Sequence, residues 1–224
     1  RNLEDIFGRG SVLTEALRVA FCVCREGADL FALPRADAGA AVAAEYTLTF
    51  TGPASSDGRA TFFMGDSRYN VDFRVRSGDT ATQIAAAFVA ELSPDFPYSA
   101  AAAAGVVTLT ARNKGTIGNF LNPVYNWAGR SNYAPGGVGV AFAQTVQGSG
   151  NGAPPTDYGN LVGECCYASY VLCSDDELWQ EALRDHVRDV WDCSKPQCFG
   201  HGYTYSVGSL GQILATGDNS AELS

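Results

Sequence analysis

The sequence predicts an α/β core domain, a short and mainly parallel sheet with helices, interrupted by an α+β, β-rich insertion. Three observations carry this expectation. Helical and strand-like segments alternate towards both ends, whereas the middle of the chain reads as strands joined by short turns. The run Gly148-Ser149-Gly150-Asn151-Gly152-Ala153-Pro154-Pro155 has the composition of a linker, flexible first and then stiff. All 7 cysteines lie outside residues 36–154. The expected organisation is therefore a discontinuous core of residues 1–35 and 155–224 around an insertion of residues 36–154.

The first element is a helix capped by Ser11, with Leu13, Leu17, Ala20, Phe21 and Cys24 on one face and Gly27 at its end. Asp29 to Leu33 (DLFAL) reads as a short strand stopped by Pro34. In the insertion, Tyr46 to Phe50 alternates, and the turn residues Gly52-Pro53 and Ser55-Ser56-Asp57-Gly58 follow. Arg59 to Met64 and Tyr69 to Val75 predict two strands hinged at Gly65-Asp66. Thr80 and Gln83 have capping-box spacing ahead of Ile84, Phe88 and Leu92, so a helix is expected over 80–92. Tyr98 to Ala103 and Val106 to Ala111 predict a hairpin around Gly105, followed by a polar loop from Asn113 to Gly118 and a strand from Val138 to Val146. After the linker, Leu161 to Cys165 ends a short helix and Tyr167 to Cys173 reads as a strand. Ser174 and Glu177 form a second capping box before the apolar stripe Leu178, Ala182, Leu183, Val187, Val190 and Trp191. Phe199 to Val207 is a further expected strand and Leu210 to Ala215 the start of a helix.

Composition narrows the function classes. Of 224 residues, 46% are hydrophobic and 17% charged, as in a globular protein and unlike a disordered one. The formal net charge of −9 argues against nucleic acid or anionic lipid as a main partner. The longest apolar runs, such as Ala100 to Val107, fall far short of the roughly 20 residues of a membrane helix, so no membrane insertion is expected. The chain starts at Arg1-Asn2-Leu3 and stops at Ala221-Glu222-Leu223-Ser224 without a closing element, so it is expected to be a piece of a longer polypeptide.

Signals of catalysis are sparse. There is no Gly-x-Ser-x-Gly elbow, no His-Glu-x-x-His, and neither Lys114 nor Lys195 follows phosphate-loop glycines. Gly136-Gly137-Val138-Gly139 lacks the third glycine of a dinucleotide fingerprint. His186, on a helix beside Asp185 and Arg188, reads as structural or solvated. A nucleophile pair of Cys198 with His201 is opposed by strand geometry, because residues three apart point to opposite faces. Asp175-Asp176-Glu177 is explained by the positive end of a helix dipole better than by a metal. No catalytic residue, cofactor or metal is assigned.

The cysteines Cys22, Cys24, Cys165, Cys166, Cys173, Cys193 and Cys198 leave three readings open. They are buried thiols; or Cys193, Cys198 and His201 with Cys165 or Cys166 hold zinc, at a loose spacing; or they form disulfides within or between subunits, with an odd one left over.

One family resemblance runs through the chain in order. Gly8 to Leu17 (GRGSVLTEAL), Leu33-Pro34 with Ala36-Asp37, Leu48 to Ala54 (LTFTGPA) with Asp57-Gly58, Val75 to Ala81 (VRSGDTA), Val106 to Gly115 (VVTLTARNKG) and Gly118-Asn119 resemble Mu-like contractile-tail sheath proteins of myophages. The resemblance implies an internal fragment of a structural protein, without the terminal domains and the arms that exchange strands with neighbours. It implies a subunit that stacks in helical rings around a tail tube and contracts during genome ejection. The implied partners are other sheath subunits, the tube protein, and baseplate and tail terminator proteins. The implied location is the virion tail, after assembly in the host cytoplasm. In oxidising surroundings after lysis, some of the 7 cysteines are then expected to link neighbouring subunits and hold the extended sheath. The alternatives are a cysteine-dependent hydrolase using Cys198 or Cys165 with His201, and a carbohydrate-binding module stacking sugars on Tyr69, Trp127 and Tyr133.

Overall fold

The computed structural model describes residues 3–8, 10–23, 30–34, 37–65, 69–126, 134–154, 169–174, 176–190 and 201–203. The chain divides into two compact units, Arg1–Ala28 with Ala36–Asn151, and Asp29–Arg35 with Gly152–Ser224. Strands are mostly antiparallel, and helices and strands are mixed, which makes an α+β fold. None of the described helices is long and apolar enough to cross a membrane.

The first unit is built on two antiparallel sheets. One has the order β4-β5-β1-β7, from Tyr98–Ala103 (β4), Val106–Lys114 (β5), Ala43–Phe50 (β1) and Val140–Val146 (β7). The other has the order β3-β2-β6, from Val71–Val75 (β3), Gly58–Phe63 (β2) and Val124–Tyr125 (β6). Strict alternation in β1 sends Ala44, Tyr46, Leu48 and Phe50 inward, where they meet Val107, Leu109 and Ala111 of β5. From the second sheet, Ala60, Phe62, Val71, Phe73 and Val75 enter the same core. Helix α3 (Ala81–Glu91) fills it with Ile84, Ala85 and Phe88. Phe88 is wholly buried, with ring centroids 5.0 Å from Phe62, 5.8 Å from Phe50 and 6.4 Å from Phe73. These tilted and edge-on pairs suit the aromatic quadrupole.

Several local expectations hold. Thr80 and Gln83 close a reciprocal capping box on α3. The β4–β5 hairpin turns at Ala104-Gly105, both at positive φ, and a Cβ at Gly105 would press on Ala81. Ser11 caps α2 (Val12–Val23) by accepting the Thr14 amide at 3.1 Å.

Other expectations change. Residues 30–34 form no strand, and Leu30, Phe31 and Leu33 are exposed. The polar loop after β5 contains a short 3-10 helix, Thr116–Phe120. The helix α2 packs with the two-sheet unit. The reason is specific contact: Tyr69 donates to Glu15 at 2.7 Å, Arg18 reaches Asp95 at 3.9 Å, and Gly10 lies so close to the Phe96 and Pro97 backbone that a Cβ would collide. The expected linker is also pinned over its first half. Val42 and Ser149 exchange backbone hydrogen bonds of 2.8 and 3.1 Å, and Asn119 brackets Gly148 through both its N–H and its C=O.

In the second unit, β8 (Ser169–Val171) and β9 (His201–Tyr203) pair in parallel. Helix α4 (Glu177–Val190) lies against this pair, with Leu183 and Val187 over Gly202. Its cap differs from the expected Ser174–Glu177 box. Asp176 accepts the Leu178 amide at 3.0 Å, and Ser174 instead accepts the amide of Asp176. The remainder of the expected 167–173 and 199–207 strands, and the expected elements at 161–165 and 210–215, fall wholly or partly outside the described residues.

Candidate functional site

The loops that carry the sequence motifs converge at one end of the first unit and bind one another. The amide of Ala54 donates to Asp79 O at 2.9 Å, that of Gly78 to Ala54 O at 2.8 Å, and that of Ser55 to Gly136 O at 2.7 Å. Asp57 accepts from the Ser77 amide at 2.9 Å and from Arg74 at 3.1 Å, and these bonds hold its carboxyl below the usual range. Asp79 caps the turn by accepting the Arg76 amide at 2.7 Å. The motifs LTFTGPA, Asp57-Gly58 and VRSGDTA thus knit a loop cluster together, and their polar groups are spent on each other.

The outward faces of the two sheets differ in chemistry. On the three-stranded sheet, Arg59 pairs with Asp72 at 3.0 Å and Arg74 with Asp57 at 3.1 Å, in exposed positions. On the four-stranded sheet the register sets Ala101, Thr108, Thr47 and Ala143 in one row and Ala103, Val106, Thr49 and Ala141 in the next. Charge enters this face at one end, with Glu45, Arg112 and Lys114. The result is a surface of short, uncharged side chains. Its signal was present in the sequence as the alternating Thr and Ala residues of β1 and β5, yet the sequence gives no reason to single out the solvent side of a strand.

The residues expected to carry chemistry are mostly not brought together. Among the described residues, Cys22 is a free, exposed thiol on α2, and Cys173 a free, half-buried thiol just after β8 whose pKa is raised by burial. Cys24, Cys165, Cys166, Cys193 and Cys198 lie outside the described residues, and with them the proposed partners of His201. His201 is exposed on β9. His186 packs edge-on against Tyr170, at 5.2 Å between centroids. Asp176 serves the α4 cap, and Asp175 is outside the described residues. No group of three or more His, Cys, Asp or Glu among the described residues could hold a metal ion. Tyr69 is no stacking platform: it is 5% exposed, its ring packs on Phe96 and its hydroxyl is bonded to Glu15. Trp127 and Tyr133 fall outside the described residues.

Over 121 residues the sequence is 31% identical to the Mu-like prophage FluMu tail sheath protein of Haemophilus influenzae. The chain is similar to a tail sheath protein. The alignment takes in 53% of this chain and 24% of that sheath protein, so the chain spans about a quarter of its relative's length. No protein-family model matches the chain.

Proposed function

We propose that this chain is part of a structural subunit of a phage contractile-tail sheath. In this reading it is an internal piece of a longer protein. Copies assemble in helical rings around the tail tube and change their mutual packing to drive the tube through the host envelope. The observation that carries the reading is the 31% identity over 121 residues to a protein named as a tail sheath. The proposal extends to the tube, baseplate and tail terminator proteins as partners, to the virion tail as the location, and to assembly in the host cytoplasm. The function is mechanical, and no reaction is assigned to it.

One surface of the chain suits a self-assembling role against its net charge. A net charge of −9 makes identical copies repel, and repulsion is least where a surface carries no charge. The Thr and Ala rows of the four-stranded sheet are such a surface, and like faces of short side chains can meet without opposing charges. In the second unit, the parallel β8–β9 pair with α4 against it is read as part of the α/β core of the subunit. Cys22, exposed on α2, is the described thiol best placed for a bond between subunits.

Electron microscopy of particles labelled with antibody against this chain tests the reading. Label distributed along the outside of tails is expected, with altered spacing after contraction. Particles that bind no antibody, or bind it only at the head or tail tip, would overturn it.

A further inference from the structure

We propose that Asn151-Gly152 is a site of spontaneous covalent modification, deamidation through a cyclic imide, which the fold restrains by holding the Asn151 side chain. This inference does not depend on the sheath reading. The chain contains one Asn-Gly pair, and glycine after asparagine removes the side chain that would hinder attack by the following backbone nitrogen.

The chemistry needs only water. The Gly152 nitrogen attacks Asn151 Cγ, a new N–C bond forms, and the bond from Cγ to the side-chain nitrogen breaks. Ammonia leaves, carrying the proton given up by Gly152. Water then opens the imide at either carbonyl, giving aspartate or isoaspartate, and no electron changes hands.

The fold holds the side chain that is attacked. Asn151 Oδ1 accepts from the Thr116 amide at 2.8 Å and the Thr116 hydroxyl at 3.2 Å, while Nδ2 donates to that hydroxyl at 2.9 Å. Gly115 keeps a space free of any side chain, and Oδ1 of Asn151 sits in it. Attack requires the amide side chain to swing towards the Gly152 nitrogen, which breaks its bonds to Thr116. The two products differ in consequence. Aspartate keeps an acceptor oxygen for the Thr116 amide. Isoaspartate lengthens the main chain by a methylene and draws the carboxylate away from the 3-10 helix it caps.

The test ages the full chain in mildly alkaline buffer and follows the 151–152 peptide by mass, with enzymatic methylation reporting isoaspartate. Urea-unfolded protein is expected to convert at least about tenfold faster than folded protein, the rate equivalent of one or two lost hydrogen bonds. Thr116→Val and Thr116→Ala should fall between the two. Equal rates in folded and unfolded wild-type chain would remove the restraint. Unfolded Gly152→Ala converting as fast as unfolded wild type would remove the site, and neither comparison requires the clamp variants to fold.

Discussion

Phe88 is the residue on which the first unit's core depends most directly. It touches the rings of Phe50, Phe62 and Phe73 and has no exposed surface. Phe88→Ala is expected to cost about 3–5 kcal/mol, because α3 and two sheets leave little room to collapse into the cavity. Urea unfolding followed by circular dichroism measures this. Tyr46 and Tyr98 make a second kind of contribution. Both hydroxyls donate to Gly118 O, at 3.0 and 2.8 Å, and burial raises both pKa values above the ordinary tyrosine range. Above about pH 10 the unfolded tyrosines lose protons that the folded ones keep, so the folded state binds more protons and stability falls as pH rises. Tyr98→Phe should flatten that alkaline decline, read as melting temperature against pH. The thiols also diverge. Exposed Cys22 should alkylate faster than Cys173, whose burial raises its pKa, and peptide mass spectrometry after brief iodoacetamide treatment would show the order.

Among the elements, those set by neighbouring residues are the most legible in the sequence. The α3 capping box and the β4–β5 hairpin follow from Thr80–Gln83 spacing and from Gly105, and both occur as expected. Thr80→Ala should cost about 1 kcal/mol, measurable by the same urea titration. Where local signals competed, geometry decided. Ser174 and Asp176 can both cap α4, and Asp176, one position before the helix, takes the Leu178 amide. The apolar run DLFAL was expected as a strand, but residues 30–34 form none, since strand propensity reflects packing on a sheet more than an intrinsic backbone preference. The glycine-rich run read as a linker is bound as far as Asn151, since glycine marks close approach as readily as flexibility. A Cβ at Gly148 would collide with the Gly115 carbonyl.

For the whole molecule, the proposed role turns on how copies meet. Thr47→Glu with Thr108→Glu sets carboxylates at the centre of the uncharged face. Assembly should then be lost, as seen by sedimentation and electron microscopy, while the first unit still folds, at a cost of about 1 kcal/mol from two carboxylates set opposite each other. Unchanged assembly would exclude this face as the contact. The candidate surface was only half legible. The alternation in β1 and β5 is local and could be read, but which strands lie side by side could not.

The sequence by itself determined the acidic charge through composition, and the alternation of β1, the α3 helix and the hairpin through residues a few positions apart. It also carried the resemblance to sheath proteins, in motifs of which LTFTGPA, Asp57-Gly58 and VRSGDTA prove to knit a loop cluster together. Only the tertiary structure decided that β7 closes the sheet beside β1, that α2 joins the two-sheet unit, and that Asn151 is clamped by Thr116. Those outcomes rest on contacts between residues far apart in the chain, where packing and hydrogen-bond geometry, and no local preference, select the partner.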